Sequence, residues 1–260
     1  MQWGGLSDPF CPYEKKLGIG LELMKFFNEI KYPISFSSKG DLPISDKRYY
    51  NEFKKAGDLW HYKSSIITMD KEAAKKIEAG CPSPQRRFEV LEKLSKLGVK
   101  TTLRLRPFLI GLSDKTLEDM IKKAKEVGCQ SATTEFFCLD VRGLGREQTK
   151  NSYNIISEVI GFDVVEFYKK FSGGRVGYIR LEKKLKQVYL KKFVDLCKKY
   201  SLNYFCSDQD FKHICSGSGS CCGLLDSNEK LNNYAKLQFT ELMRTARKKR
   251  FYNIGRCLES

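Results

Sequence analysis

Four cysteines, Cys206, Cys215, Cys221 and Cys222, fall within a short stretch that also holds His213 and a glycine- and serine-rich loop over 215–223. Thiolates are the ligands of zinc and of iron–sulfur clusters, and a pliable loop lets separated sulfurs converge on one ion. The spacing lacks the CxxC pairs of ordinary zinc sites. Two readings therefore stand: zinc or an iron–sulfur cluster held by these four residues, or reduced structural thiols. Arg104 and Arg106 form a second chemical pair, because residues two apart in an apolar run share one face of a strand. Facing inward they are too costly to leave unpaired and bind an anionic cofactor or substrate; facing outward they merely solvate. Arg244, Arg247, Lys248, Lys249, Arg250 and Arg256 form a run that no acid interrupts. It reads as a nucleic-acid contact or as a basic helical tail.

The elements that position these groups show in the apolar periodicity, which alternates between short β-like runs and longer helical ones. Strands are expected at 1–5, 32–37, 62–68, 99–106 and 131–138, with helices at 17–30, 46–56, 70–79, 84–97 and 115–127. Ser83 and Pro84 suit the N-cap and first turn of the helix at 84–97, and Gly98 its C-terminal end. Five strands alternating with helices predict a parallel sheet with right-handed crossovers, either a barrel or a doubly wound sheet. The pattern changes near 140–149, so the expected organisation is an α/β core over 1–140 and a mainly helical, basic, cysteine-bearing region over 141–260. A brief apolar run at 202–206 reads as one further strand.

At 260 residues, 41% hydrophobic and 12% aromatic, the chain can bury a substantial core. No apolar stretch approaches the roughly 20 residues of a bilayer crossing, and the N-terminus lacks a secretory pattern. A cytoplasmic location with no membrane partner is the expectation. Ten cysteines in such a lysine-rich chain are read as reduced thiols or metal ligands. The net charge of +16 attracts polyanions non-specifically. Lysines on solvated helix faces, Lys183, Lys184, Lys186, Lys191 and Lys192 among them, account for much of it without a partner.

One set of residues goes further. Trp3, Gly4, Gly5, Leu6, Ser7, Asp8, Pro9, Phe10 and Glu14 resemble the second strand and outgoing loop of radical S-adenosylmethionine (radical SAM) proteins of the spore-photoproduct-lyase-like group. Phe36, Ser37, Ser38, Lys39 and Gly40, then the strand end at 64–70, follow in the family's order. Glu78, Gly80, Pro82, Ser83, Pro84 and Arg87, and finally Arg104, Arg106, Pro107, Gly111 and Asp114, complete the pattern over about 2–140. The resemblance implies a partial (β/α) barrel binding SAM and a [4Fe-4S] cluster at the carboxyl ends of its strands, with SAM cleaved to a 5′-deoxyadenosyl radical. It implies that Gly4 and Gly5 admit the methionine end of SAM, that Lys39 pairs with its carboxylate, and that Ser65 bonds it, with Arg104 and Arg106 on the same rim.

The chain departs from that family in two places. Leu6 stands where a carboxylate is commoner, and no CxxxCxxC cluster loop occurs anywhere in the sequence. The core is therefore expected to lack its first strand and to need a complementing N-terminal segment for activity. The alternative is a non-enzymatic, basic nucleic-acid-binding protein.

Overall fold

The computed structural model describes residues 1–173 and 177–216. Strands β1 (Gln2–Trp3), β2 (Ser35–Ser38), β3 (His61–Ser65), β4 (Lys100–Phe108) and β5 (Ser131–Phe136) alternate with helices α1 (Pro12–Leu17), α2 (Ile19–Glu29), α3 (Leu42–Ser45), α4 (Lys47–Ala56), α5 (Lys71–Ile77), α6 (Pro84–Ser95) and α7 (Leu117–Glu126). Beyond them lie β6 (Leu139–Asp140), α8 (Glu147–Ile160), α9 (Val164–Lys170), β7 (Tyr178–Ile179), α10 (Lys183–Lys199) and β8 (Asn203–Cys206). The main sheet has the order β1-β2-β3-β4-β5-β8, and every neighbouring pair is parallel. This is the curved α/β sheet of a partial barrel, with all strand carboxyl ends on one rim. Chain order equals sheet order because each crossover helix returns the chain on the same hand.

Local chemistry sets the element ends. Asp46, Asp70, Ser83 and Asp163 each cap a helix by accepting from a backbone N–H of the first turn. The expected helix at 17–30 divides in two, because Gly18 takes a left-handed φ of 67° between α1 and α2. The run at 202–206 is a strand: β8 pairs with β5 and extends the first half's sheet from the far side of the expected boundary at 140/141. The antiparallel β6–β7 pair had no visible signal, since two strands of two residues carry no periodicity.

The sheet's two faces differ in chemistry. Phe36, Tyr62, Leu103 and Ala132 turn to the helices, where Phe36, Phe53 and Trp60 pack edge to face with ring centroids 5.2 to 5.5 Å apart. Such aromatic pairs add roughly 0.5–1.5 kcal/mol each beyond their buried area. The alternate positions, Ser37, Lys63, Thr102 and Ser131, share the opposite, concave face. That face is polar and internally bonded. Gln2 joins the Ser37 hydroxyl at 2.9 Å to the buried Lys63 ammonium at 2.6 Å, and Thr102 links His61 at 2.7 Å to Ser131 at 2.6 Å.

Candidate functional site

The parallel order brings Gly4, Gly5, Ser38, Lys39, Ser65, Arg104 and Arg106 to one rim, each at or just beyond the carboxyl end of its strand. Asp8 ties the first two strand ends together. Its Oδ1 accepts from the Phe10 N–H at 2.9 Å and the Ser38 hydroxyl at 2.7 Å, and its Oδ2 accepts from the Lys39 N–H at 2.8 Å. A carboxylate holding three donors fixes its loops, because charge-assisted bonds are the strong ones.

The next layer centres on Glu78. Its Oε2 accepts from Arg87 Nη1 at 2.6 Å, and its Oε1 lies 3.1 Å from Lys39 Nζ. Arg87 also donates to the carbonyl of Ser65 at 2.8 Å and that of Pro82 at 2.8 Å, so one buried guanidinium fastens the end of β3 to the loop before α6. Arg104 donates to the Ser65 hydroxyl at 3.0 Å, and Arg106 Nε pairs with Glu135 Oε2 at 2.7 Å. Arg104 takes the inward alternative, on the concave side with Ser65 and Thr133, whereas Arg106 lies at the irregularity between Leu105 and Phe108 and stays 42% exposed while it pairs with Glu135.

The two glycines differ. Gly4 has φ +100°, and a Cβ there would lie 2.0 Å from the Ser37 carbonyl oxygen, so the packing of β1 on β2 by itself requires glycine. A Cβ on Gly5 would meet nothing within 4 Å, which leaves open space beside its backbone. Lys39 is a third exposed, with its ammonium shared with Glu78. Gly5 and Lys39 fit SAM, with open backbone and a partly exposed cation, while Ser65 is 1% exposed and its hydroxyl is held by Arg104. The rim residues do not fit the cluster. Among the described residues no group of three or more His, Cys, Asp or Glu side chains is placed to hold a metal. Cys11 and Cys81 line one cavity of about 340 Å³ with Asp8, Lys39 and Asp41, as two thiols rather than three ligands.

Of the second cysteine group, Cys206 and Cys215 come together, the Cys206 N–H donating to Cys215 Sγ at 3.2 Å. Burial pushes the Cys206 thiol up to about 12. Cys221, Cys222 and the basic run at 244–256 lie outside the described residues.

Nothing in the residue spacing marked Asp8 as the organiser of the rim, although it stands inside the quoted motif. Lys186 was expected on a solvated face, and the structure corrects this: Lys186 is 5% exposed and paired with Asp208. The signal was available, because Lys186, Leu190, Phe193 and Cys197 recur at the spacing of one buried helix face.

No protein-family model matches the chain, and no curated protein does. Solved structures do match. The chain is similar to a point mutant of spore photoproduct lyase at 11% identity and a TM-score of 0.57, covering 79% of this chain and 60% of that one. It is similar to a double mutant of that lyase with bound AdoMet and dinucleoside spore photoproduct at 13% identity and a TM-score of 0.56, and to the lyase complexed with the dinucleoside at 12% and 0.56, with the same coverage. The chain thus spans about 60% of the length of these proteins, and over that span its fold is that of spore photoproduct lyase.

Proposed function

We propose that this chain is the greater part of a radical SAM protein of the spore-photoproduct-lyase-like kind, supporting reductive cleavage of SAM once a cluster-binding segment completes it. The observation that carries the reading is the rim itself. Asp8, Lys39, Glu78, Arg87, Ser65 and Arg104, drawn from strand ends and the loops beyond them, form one bonded constellation on a fold shared with that lyase. SAM supplies the bond that is cleaved. The chain's part is to hold it: Gly5 by backbone approach, Lys39 against the carboxylate, and Ser65, Arg104 and Arg106 along the rim. In this proposal residues 1–140 supply the core and 141–260 the substrate side, with β8 returned to the sheet.

Two features support a completing segment. β1 pairs with β2 alone, so its outer edge is open among the described residues. On α2 and at its end Ile19, Leu23, Phe26 and Ile30, at the spacing of one helix face, are each 41–61% exposed. A strand on that edge, followed by a helix on that stripe, extends the parallel order by one unit and covers both. The CxxxCxxC loop would come with it. The charge of +16, and the dinucleoside held by the solved lyase, support a nucleic acid as substrate.

The test is to express the chain with and without an upstream strand carrying CxxxCxxC, then measure SAM binding and 5′-deoxyadenosine under reducing conditions. Only the completed protein is expected to give product. Lys39→Ala in that protein is expected to weaken SAM binding by roughly ten- to a hundredfold, the worth of one charged hydrogen bond. Product from the chain alone would show that its own cysteines hold the cluster. Salt-sensitive DNA or RNA binding without SAM binding would favour the non-enzymatic alternative.

A further inference from the structure

Beyond the ends of β5 and β8 lies a cavity of about 230 Å³ that no part of the proposed SAM site occupies. Its lining includes Glu135, Cys138, Arg180, Lys186, Ser207 and Asp208. The two carboxylates are engaged. Glu135 Oε2 takes Arg106 Nε at 2.7 Å, and Asp208 takes the buried Lys186 ammonium. Arg180, at the exit of β7, is half-buried beside the Tyr178 ring, 5.8 Å from its centroid, and makes no ion pair with a described residue. The lining carries two cations, Arg180 and Lys186, and two carboxylates, Glu135 and Asp208; Arg106, from outside the lining, takes Glu135 and Lys186 takes Asp208, so among the described residues Arg180 is the lining cation left without an ion pair.

The surroundings decide what such a charge does. A free guanidinium in bulk water is fully hydrated and selects nothing. Here the walls include Phe136 and Phe137, and a buried ion pair occupies one side. With less water to screen it, the fork of a guanidinium becomes a receptor for a planar or tetrahedral oxyanion. The Ser207 hydroxyl adds a neutral donor. Cys138 reports the same field: burial pushes its thiol up, while Arg180, Arg106 and Lys186 pull it down and Glu135 adds to the rise.

We propose that this cavity is an oxyanion-binding site, in which the Arg180 guanidinium grips a phosphate or carboxylate group of a substrate, with Lys186 held in place by Asp208 behind it. It opens on the same rim as Arg106, so a substrate anchored here by its anionic group extends its remaining part toward the concave face of the sheet. The site needs no bound SAM, and it can fail without the proposed function failing, or the reverse.

Cys138 supplies the readout. Its alkylation in the purified chain is followed by peptide mass spectrometry at constant ionic strength, with chloride replaced by inorganic phosphate in one series and by acetate in another. Cys81, which lies in other cavities, is the internal reference. A ligand that covers a thiol slows its reaction by a factor of 1 + [L]/Kd, so the anion at about ten times its Kd slows Cys138 about tenfold and leaves Cys81 unchanged. Arg180→Gln is expected to abolish the protection, and Arg180→Lys, which keeps the charge and loses the fork, to weaken it. Protection by phosphate alone identifies a phosphate-bearing ligand, and protection by acetate alone a carboxylate; either upholds the site. Equal Cys138 rates in chloride, phosphate and acetate would overturn it, as would protection that survives in Arg180→Gln. Should Arg180→Gln fail to fold, Arg180→Lys decides: protection as strong as in the parent would overturn the role of the fork.

Discussion

Arg87 places Nη1 between a carboxylate oxygen of Glu78 at 2.6 Å and the carbonyl of Ser65 at 2.8 Å, with both charged side chains almost wholly removed from water. Removing one partner of such a pair leaves an uncompensated buried charge, at a cost of about 3–5 kcal/mol. Glu78→Gln is therefore expected to lower the urea midpoint strongly. The double replacement Glu78→Leu with Arg87→Met, which removes both charges, should cost distinctly less. Chemical denaturation of the three proteins checks this, and equal losses in single and double variants would mean that the guanidinium acts mainly through the backbone carbonyls.

The two rim glycines separate structure from binding. Gly4→Ala forces a Cβ against the Ser37 carbonyl at φ +100° and is expected to cost about 1–3 kcal/mol or more. Gly5→Ala meets no neighbour and should stay within about 0.5 kcal/mol of the parent, as surface changes do. In the completed protein Gly5→Ala should nevertheless weaken SAM binding. Thermal melts and equilibrium dialysis on the same samples give both numbers. Unchanged SAM affinity in Gly5→Ala would remove Gly5 from the site.

His61 predicts a pH dependence. It is fully buried, and desolvation, aided by Lys63 and Lys100, holds its pKa well below the usual 6.5. The folded protein keeps the ring neutral while the unfolded chain protonates near 6.5. Stability is thus complete above that value and falls as the pH drops below it, by up to about 1.4 kcal/mol per pH unit. The other histidine, His213, is exposed. His61→Gln should flatten the profile between about pH 5 and 6.5, above the range where carboxylates titrate. Urea titrations across that window measure it, and an unchanged slope in the variant would assign the dependence to other groups.

Much of this protein was legible in its residues alone. The alternation of β-like and helical runs determined the parallel order of the first five strands, since a helix between strands leaves a right-handed crossover as the connection. Ser83 and Pro84 announced the start of α6, and the two-residue spacing of Arg104 and Arg106 put both at the end of β4, where Arg104 meets Ser65 and Arg106 meets Glu135. These are local properties, set by backbone chemistry within a few residues. The tertiary structure alone decided the partners. Which carboxylate meets Arg106, whether Lys186 is solvated or paired with Asp208, and that β8 closes against β5 all depend on register between segments far apart in the chain. Asp8 shows the reason most plainly: its three donors include two from a strand end 30 and 31 residues away. Sequence periodicity carries which face a side chain occupies, and only the packed sheet brings two such faces to within a hydrogen bond of each other.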